Sequence, residues 1–475
     1  MLANTQTCAV IGLDGFVVQV EVEISPGLPA FNIVGLPDAA VQEVKERVRA
    51  ALRNSNCEFP LRRITVNLAP ADLKKEGPSY DLPIAVCMLL SSGQIDSLPE
   101  GAVFLGELSL DGSLRHTTGI LAMASVARDQ GYTSVFVPSV DADEASLVED
   151  IQVYPVASLK HLINHLRCER EITPLAEDGW QSIYDTAGVY EMDLANVRGQ
   201  EHAKRASMAQ QEALEVTKIY SVNGVLSAEN PLVLQRLFRS PHYTISNAGL
   251  VGGGRTLRPG EITMSHRGVL FLDELPEFNH TALESLRQPL EDKVVTISRV
   301  SGSVTYPASF MPVAAMNHCP CGFHTHPSKE CSCSPSTVAR YQKRISGPLL
   351  DRVDVFVEVP PVEYEKLVED QQAEESSKPR LRVKEAREVQ RERFKECGFF
   401  CNSEMGPAEV WKFCKLDDGA RGLLQTATQR LNLSARAFHR ILKVSRTVAD
   451  LEGSEGIDVA HLAEALQYRP RTAVS

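Results

Sequence analysis

Hydrophobic and polar positions follow two different periods along this chain, and the switch between them divides it. Val18, Val20, Val22 and Ile24 alternate with Gln19, Glu21 and Glu23, which predicts a strand with one buried face. Pro37 and Asp38 then open a predicted helix with Val41, Val44, Val48 and Leu52 on one stripe. Residues 64–68, 103–110, 134–137 and 151–156 read as further strands, and 120–130 and 159–166 as helices. This describes a complete α/β domain over residues 1–170. A polar stretch, 168–193, carries Pro174 and Gly179 and is expected to be a linker. A second α/β segment runs over residues 194–361. Residues 370–380 are rich in Gln, Glu and Ser and read as a solvated connection. Over 381–475 the period is helical: residues 383–394, 419–431 and 434–451 are amphipathic, and Asp458 caps a helix carrying Val459, Leu462 and Leu466.

The bulk numbers narrow the class without naming a function. A chain of 475 residues has room for about three domains. With 43% hydrophobic and 23% charged residues, its composition is that of an ordinary globular protein. The net charge of −12 excludes a generally basic nucleic-acid coat and leaves room for a local basic patch or ring pore. Residues 1–16 lack a charged start followed by an apolar core, and the longest apolar run, 84–90, is too short to span a bilayer. Neither a secretory leader nor a membrane partner is expected. Eleven cysteines without a leader point to a reducing cytoplasm, where they serve as core residues or metal ligands.

Residues 268–274 read Gly-Val-Leu-Phe-Leu-Asp-Glu. Four apolar residues suit a buried parallel strand, with Asp273 and Glu274 at its exposed carboxyl end. There one carboxylate can hold Mg²⁺ and its neighbour can polarise a water for attack on a phosphate. The usual partner of such a strand is Gly-x-x-x-x-Gly-Lys-Ser/Thr, whose backbone N–H groups and lysine cradle the phosphates of ATP. The chain contains no Gly-Lys dipeptide.

The run 257–278, with the block 347–354 (Gly-Pro-Leu-Leu-Asp-Arg-Val-Asp) and residues 434–440, resembles the magnesium-chelatase-like AAA+ proteins of the ComM/YifB type. The likeness covers nearly the whole chain. It implies a Lon-protease-like N-terminal α/β domain, a P-loop-type AAA+ α/β module and an all-α C-terminal lid. It also implies hexameric rings that use ATP and Mg²⁺, and branch migration on recombining DNA in a competence-related role. Carried over by position, Asp273 helps hold Mg²⁺ and Glu274 activates water. Asn317, after the apolar run 310–316, orients that water. Arg352 is the finger offered to a neighbouring subunit, and Arg436, in the lid, meets the γ-phosphate. Arginine suits both roles because it stays charged and grips phosphate oxygens in a fork.

The departure from the family falls between residues 197–206 and 212–215, which in the family flank a strand, the phosphate loop and a helix. Here only Ser207-Met-Ala-Gln-Gln211 intervenes, so the Walker A segment is deleted near 207–211. About 30 residues are absent, the size of one strand–loop–helix unit. Losing a central strand is expected to leave its two neighbours unpaired or to force them together. Residues 249–256 (Gly-Leu-Val-Gly-Gly-Gly-Arg-Thr) nearly spell the missing motif, but no buried strand precedes them and Pro259-Gly260 breaks any following helix. The plain reading of that run is a mobile loop facing a ring channel. Three functional readings stand at this point. The chain is an ATP-driven ring on DNA with impaired ATP binding and hydrolysis, a non-hydrolysing scaffold associated with an intact paralogue, or a decayed reading frame.

Two further clusters carry chemistry. Cys319-Pro-Cys321 and Cys331-Ser-Cys333 enclose nine residues, with His318, His324 and His326 nearby. Four thiolates suit a structural Zn²⁺ site, although the one-residue gap within each pair is tighter than usual; four reduced thiols in an ordered loop is the other reading. Residues 75–79 (Lys-Glu-Gly-Pro-Ser) resemble the segment around the Lon nucleophile, with Ser79 at the serine position. Leu121 stands where the family's catalytic lysine belongs, and leucine cannot take a proton. Ser79 is therefore expected to cap the next helix rather than to cut peptides.

Overall fold

The computed structural model describes residues 2–36, 38, 41, 43–72, 75, 77, 79–175, 208, 210–227, 229–254, 257–299, 302–324, 329–359, 377–431 and 433–469. The N-terminal part comprises β1 (Leu2–Ile11), β2 (Asp14–Ser25), β3 (Ala30–Val34), α1 (Val44–Asn54), β4 (Arg63–Ala69), α2 (Asp81–Ser91), β5 (Ala102–Phe104), β6 (Glu107–Leu108), β7 (Leu114–Arg115), α3 (Ile120–Asp129), β8 (Ser134–Pro138), β9 (Gln152–Val156) and α4 (Leu159–Leu166). Seven of its strands form one mixed sheet in the order β3-β4-β2-β1-β5-β8-β9. β2 runs antiparallel to β1 and β4, while β1, β5, β8 and β9 are parallel neighbours.

Alternation along each strand sorts the side chains between two cores. Val18, Val20, Val22, Phe104 and Phe136 join α1, α2 and α4 on one side. Val103, Val135 and Val137 join α3 on the other. Burying each such side chain contributes about 1.5–3 kcal/mol over leaving it in water. The predicted helix stripe is buried as expected, including Val41, whose N–H donates to Asp38 Oδ1 at 2.8 Å. Pro37 lies outside the described residues. The single strand expected over 103–110 breaks instead after Phe104, because Gly106 takes φ +155° and a Cβ there would sit 3.1 Å from Leu114. Only the two-residue β6 follows.

The second part begins with α5 (Gln210–Val222), whose Ala213, Val216 and Ile219 pack with Met208 into the α3 core. Then come β10 (Phe238–Arg239), α6 (Asn247–Val251), the pair β11 (Gly252–Gly253) and β12 (Arg258–Pro259), β13 (Val269–Leu272), α7 (His280–Ser285), α8 (Arg287–Asp292), the hairpin β14 (Val294–Arg299) and β15 (Gly302–Pro307), β16 (Met311–Ala314), α9 (Pro335–Gln342) and α10 (Gly347–Leu350). β10, β13 and β16 form a parallel sheet of three strands with β13 in the middle. Among the described residues β16 has no partner on its outer side. The N–H groups of Met311 and Ala315 donate inward, to Gly268 O and Leu272 O at 2.9 and 3.0 Å. Strand pleating then turns Pro312 and Ala314 toward the open side, where proline removes one donor.

Residues 353–359 (Val-Asp-Val-Phe-Val-Glu-Val) alternate as a strand should, yet belong to none. Val355, Val357 and Val359 are 45%, 61% and 81% exposed, and the Phe356 N–H donates to Tyr468 O at 2.9 Å. Among the described residues, β16 and the segment 353–359 lie apart and unpaired.

The C-terminal part is helical: α11 (Ser377–Phe394), α12 (Pro407–Phe413), α13 (Asp418–Arg430), α14 (Ala435–Glu452) and α15 (Val459–Gln467). Asp458 caps α15, as the sequence predicts, and Ser434 caps α14. Val459 is 44% exposed, so the buried stripe of α15 is carried by Leu462 and Ala465. Helix α11 starts at Ser377, inside the stretch read as a solvated connection. Buried Arg446 bonds Asp450 and two carbonyls, as a guanidinium out of water must. Among the described residues no helix is long and apolar enough to cross a membrane.

Candidate functional site

The acidic end of β13 is set by close backbone packing. Gly268 precedes the strand because a Cβ there would meet Leu237 O at 2.2 Å. Val269, Leu270 and Leu272 are buried, and the chain emerges at exposed Asp273 and Glu274. Glu274 adopts φ +52°, a left-handed conformation costing about 1 kcal/mol for a non-glycine, and its N–H donates to Asp273 Oδ1 at 2.9 Å. Leu275 N–H, bonded to Ala315 O at 3.0 Å, fixes the turn against the exit of β16. Asn317 is exposed just past that exit. Asp273, Glu274 and Asn317 therefore share the carboxyl end of two adjacent parallel strands.

The two arginines gather elsewhere. Arg352 follows α10 and Arg436 opens α14, and both donate to the carboxylate of Glu291 at the end of α8. Arg352 Nη1 also donates to Pro348 O at 2.6 Å. The hydrogen bond from Arg352 and then the charges of Arg352, Arg436 and Arg440 hold the Glu291 carboxyl below its ordinary range. Among the described residues no hydrogen bond or ion pair joins this group to Asp273, Glu274 or Asn317. Glu291 is the residue that sequence reasoning missed. It is 61 positions from Arg352 and 145 from Arg436, and no local pattern marks it.

The glycine run is a packed element rather than a mobile loop. Gly249 lies within α6, and Gly252 and Gly253 pair with β12 at φ +112° and +122°. A Cβ at Gly252 would sit 2.6 Å from Ile297 of β14. Close packing against the hairpin accounts for glycine here. Arg255 and Thr256 lie outside the described residues, as do residues 197–207.

The four cysteines converge. Every pair of Sγ atoms among Cys319, Cys321, Cys331 and Cys333 lies within 4.8 Å. Cys319 is 3.3 Å from Cys321 and 3.7 Å from Cys331, and Cys321 is 3.5 Å from Cys331. A tetrahedral Zn²⁺ with bonds of about 2.3 Å spaces its sulfurs by roughly 3.8 Å, so the donor set fits such an ion. The Phe323 N–H, ahead of the neighbouring thiols, pulls the Cys321 thiol down to about 5. His318 faces Glu358 at 3.5 Å, His324 is exposed, and His326 lies outside the described residues.

At the protease-like position Ser79 is buried and is not the N-cap of the next helix. The N-cap of α2 is Tyr80, without a side-chain cap, and the first turn is held by buried Asp81, which accepts from Arg47 at 2.6 and 3.0 Å. The helix thus starts one residue later than capping by Ser79 requires. Leu121 is buried in the α3 core, whereas Tyr80 belongs to the opposite one.

Family models agree with this layout. One described as magnesium chelatase, subunit ChlI, matches residues 205–367, a second described as subunit ChlI of Mg-chelatase matches 20–141, and a C-terminal model of the same subunit matches 373–469. The competence protein ComM of Haemophilus influenzae is 39% identical over 504 positions, covering 98% of this chain and 97% of the relative. The chain belongs to the magnesium-chelatase-like family of the ComM/YifB type. YifB of Escherichia coli is 36% identical over 507 positions, with 98% and 97% covered. The DNA repair protein RadA of Mycolicibacterium smegmatis is 28% identical over 144 residues, 29% of each chain. Both long alignments exceed the 475 residues present, so these family members carry residues without a counterpart here.

Proposed function

We propose that this chain is a DNA-related AAA+ family member impaired in ATP binding and hydrolysis. The observation that carries the reading is the vacant place in the module's sheet. Among the described residues β16 is open on one side and an alternating segment stands unpaired at 353–359, and the relatives' alignments are longer than the chain. The residues present do not fit a nucleotide. Asp273 and Glu274 stand ready for a Mg²⁺–triphosphate, but no run of N–H groups and no P-loop lysine accompanies them among the described residues. DNA as partner, ring assembly and a cytoplasmic location come to this chain through its family. Peptidase activity is not part of the reading, because Leu121 replaces the base that Ser79 needs.

The purified chain is expected to show no Mg²⁺-dependent ATP turnover above a protein-free blank. Turnover that disappears in Glu274→Gln would contradict the reading. A subsidiary role beside an intact family member is favoured by one feature: Arg352, which the family resemblance makes the finger offered to a neighbouring subunit, is retained. Mixing the two proteins tests it, since Arg352→Ala then lowers the turnover of the mixture.

The cysteine cluster completes the proposal. Cys319, Cys321, Cys331 and Cys333 would hold a structural Zn²⁺, which would cross-link the loop between Asn317 and α9. Metal analysis is expected to give about one zinc per chain, and its removal by chelator to lower the melting temperature. Metal-free protein of unchanged stability would remove the site.

A further inference from the structure

The four clustered cysteines differ in what can reach them. Cys319 is buried, whereas Cys321, Cys331 and Cys333 are only half-buried. The sulfurs of Cys321 and Cys331 lie 3.5 Å apart although ten positions separate the residues. Cys8, Cys87 and Cys414 are sealed in cores, where burial pushes the first two thiols up to about 12 and the third up to about 11. The cluster also has a mechanical connection. Gln342, the last residue of α9, donates to His318 O at 3.1 Å, next to Cys319. Arg344, just beyond, donates to Pro276 O at 3.1 Å and to Glu277 at 2.8 Å. The end of α9 therefore touches both the thiol loop and the turn that follows Glu274.

We propose that this cluster is a site of reversible thiol oxidation, in which a peroxide joins Cys321 to Cys331 and the bound zinc is expelled. The inference rests on the zinc reading of the same four thiols. A bound metal keeps its cysteines as thiolates at neutral pH, and the thiolate is the form that attacks a peroxide. The Cys321 thiolate attacks one peroxide oxygen, the O–O bond breaks, and hydroxide leaves a sulfenic acid behind. The Cys331 thiolate then attacks that sulfur, the S–O bond breaks, and a second hydroxide leaves. Two electrons pass from the sulfurs to the peroxide, and two protons from water of the medium carry both hydroxides off as water. Only Cys319 and Cys333 remain as thiolates, too few to complete a tetrahedral site, so zinc dissociates. Its loss unties the loop from the end of α9 and loosens the hold of Arg344 on the acidic turn.

The zinc content of the purified full-length chain is measured first. Hydrogen peroxide is then added beside a chromogenic chelator too weak to strip the reduced chain. About one zinc per chain should be released. Peptide mass spectrometry without reduction should find Cys321 joined to Cys331, and dithiothreitol with added zinc should reverse both changes. Amide exchange over residues 335–342 should rise about tenfold or more on oxidation and fall again on reduction. Cys168→Ser removes an exposed thiol outside the cluster and should leave the release unchanged. Loss of release in that variant, or release with the four clustered thiols still reduced, overturns the proposal. A chain that holds no zinc at the outset overturns the metal reading as well. One that holds zinc and keeps it through excess peroxide overturns the oxidation step alone.

Discussion

The seven-stranded N-terminal sheet and the three-stranded sheet of the module were written in the same alphabet of alternating valines, but with opposite outcomes. In the first, Val20 and Val22 of β2 lie between partners on both sides, Val18 pairs with β1, and all three are wholly buried. In the second, Val355, Val357 and Val359 have the same spacing and are 45% to 81% exposed. Pattern alone does not make a strand. A neighbour with matching hydrogen-bond groups must exist, and among the described residues of the module there is none beside this segment.

The largest test of this contrast is to supply the neighbour. Insertion of a family strand–P-loop–helix unit after Ala206 is expected to create Mg²⁺–ATP binding and to raise the module's melting temperature by roughly 10 °C, followed by calorimetry. No gain in either would mean that the gap is not the defect. Next in size is a comparison of side chains. Leu68→Ala in β4 removes a fully buried group and should cost about 2–5 kcal/mol in denaturant unfolding. Val357→Thr, in the stranded segment, should stay within about 0.5 kcal/mol. Equal costs would show that residues 353–359 are packed in solution.

Smallest is the pH response of the contact between module and helices. Glu291 titrates below the ordinary glutamate value, because Arg352 and Arg436 favour its charged form. Its contribution is therefore complete above about pH 4.3 and is lost as the pH falls through the lowered value. Trp411, whose ring packs 6.2 Å from that of His439 on α14, is the only indole in the Trp180→Phe background. Its emission there should shift only in that acid range, and Glu291→Gln should abolish the shift. A transition outside that acid range would contradict the assignment to Glu291.

Much of this was legible in the sequence, for reasons that differ from residue to residue. The strand at 18–24 and the Asp458 cap were readable because their causes are local, a period of two and a side chain bonding its own helix. The cysteine cluster was readable because two close pairs need only a short loop to meet. Ser79 was misread because buried Asp81, not the serine, organises the first turn of α2. The glycine run was misread because Ile297, which forbids a side chain at Gly252, is 45 positions away in a different element. Glu291 was invisible for the same reason, since its meaning comes only from the arginines that fold against it.

The central claim is that carboxylates and arginines without an amide cradle do not form a nucleotide site. Equilibrium binding of fluorescent Mg²⁺–ATP to the purified chain and to Asp273→Asn measures this directly. Equal affinity in the two proteins, no better than that for inorganic triphosphate, is the predicted result. A tenfold or greater loss in Asp273→Asn would place a working nucleotide beside that carboxylate and contradict the account.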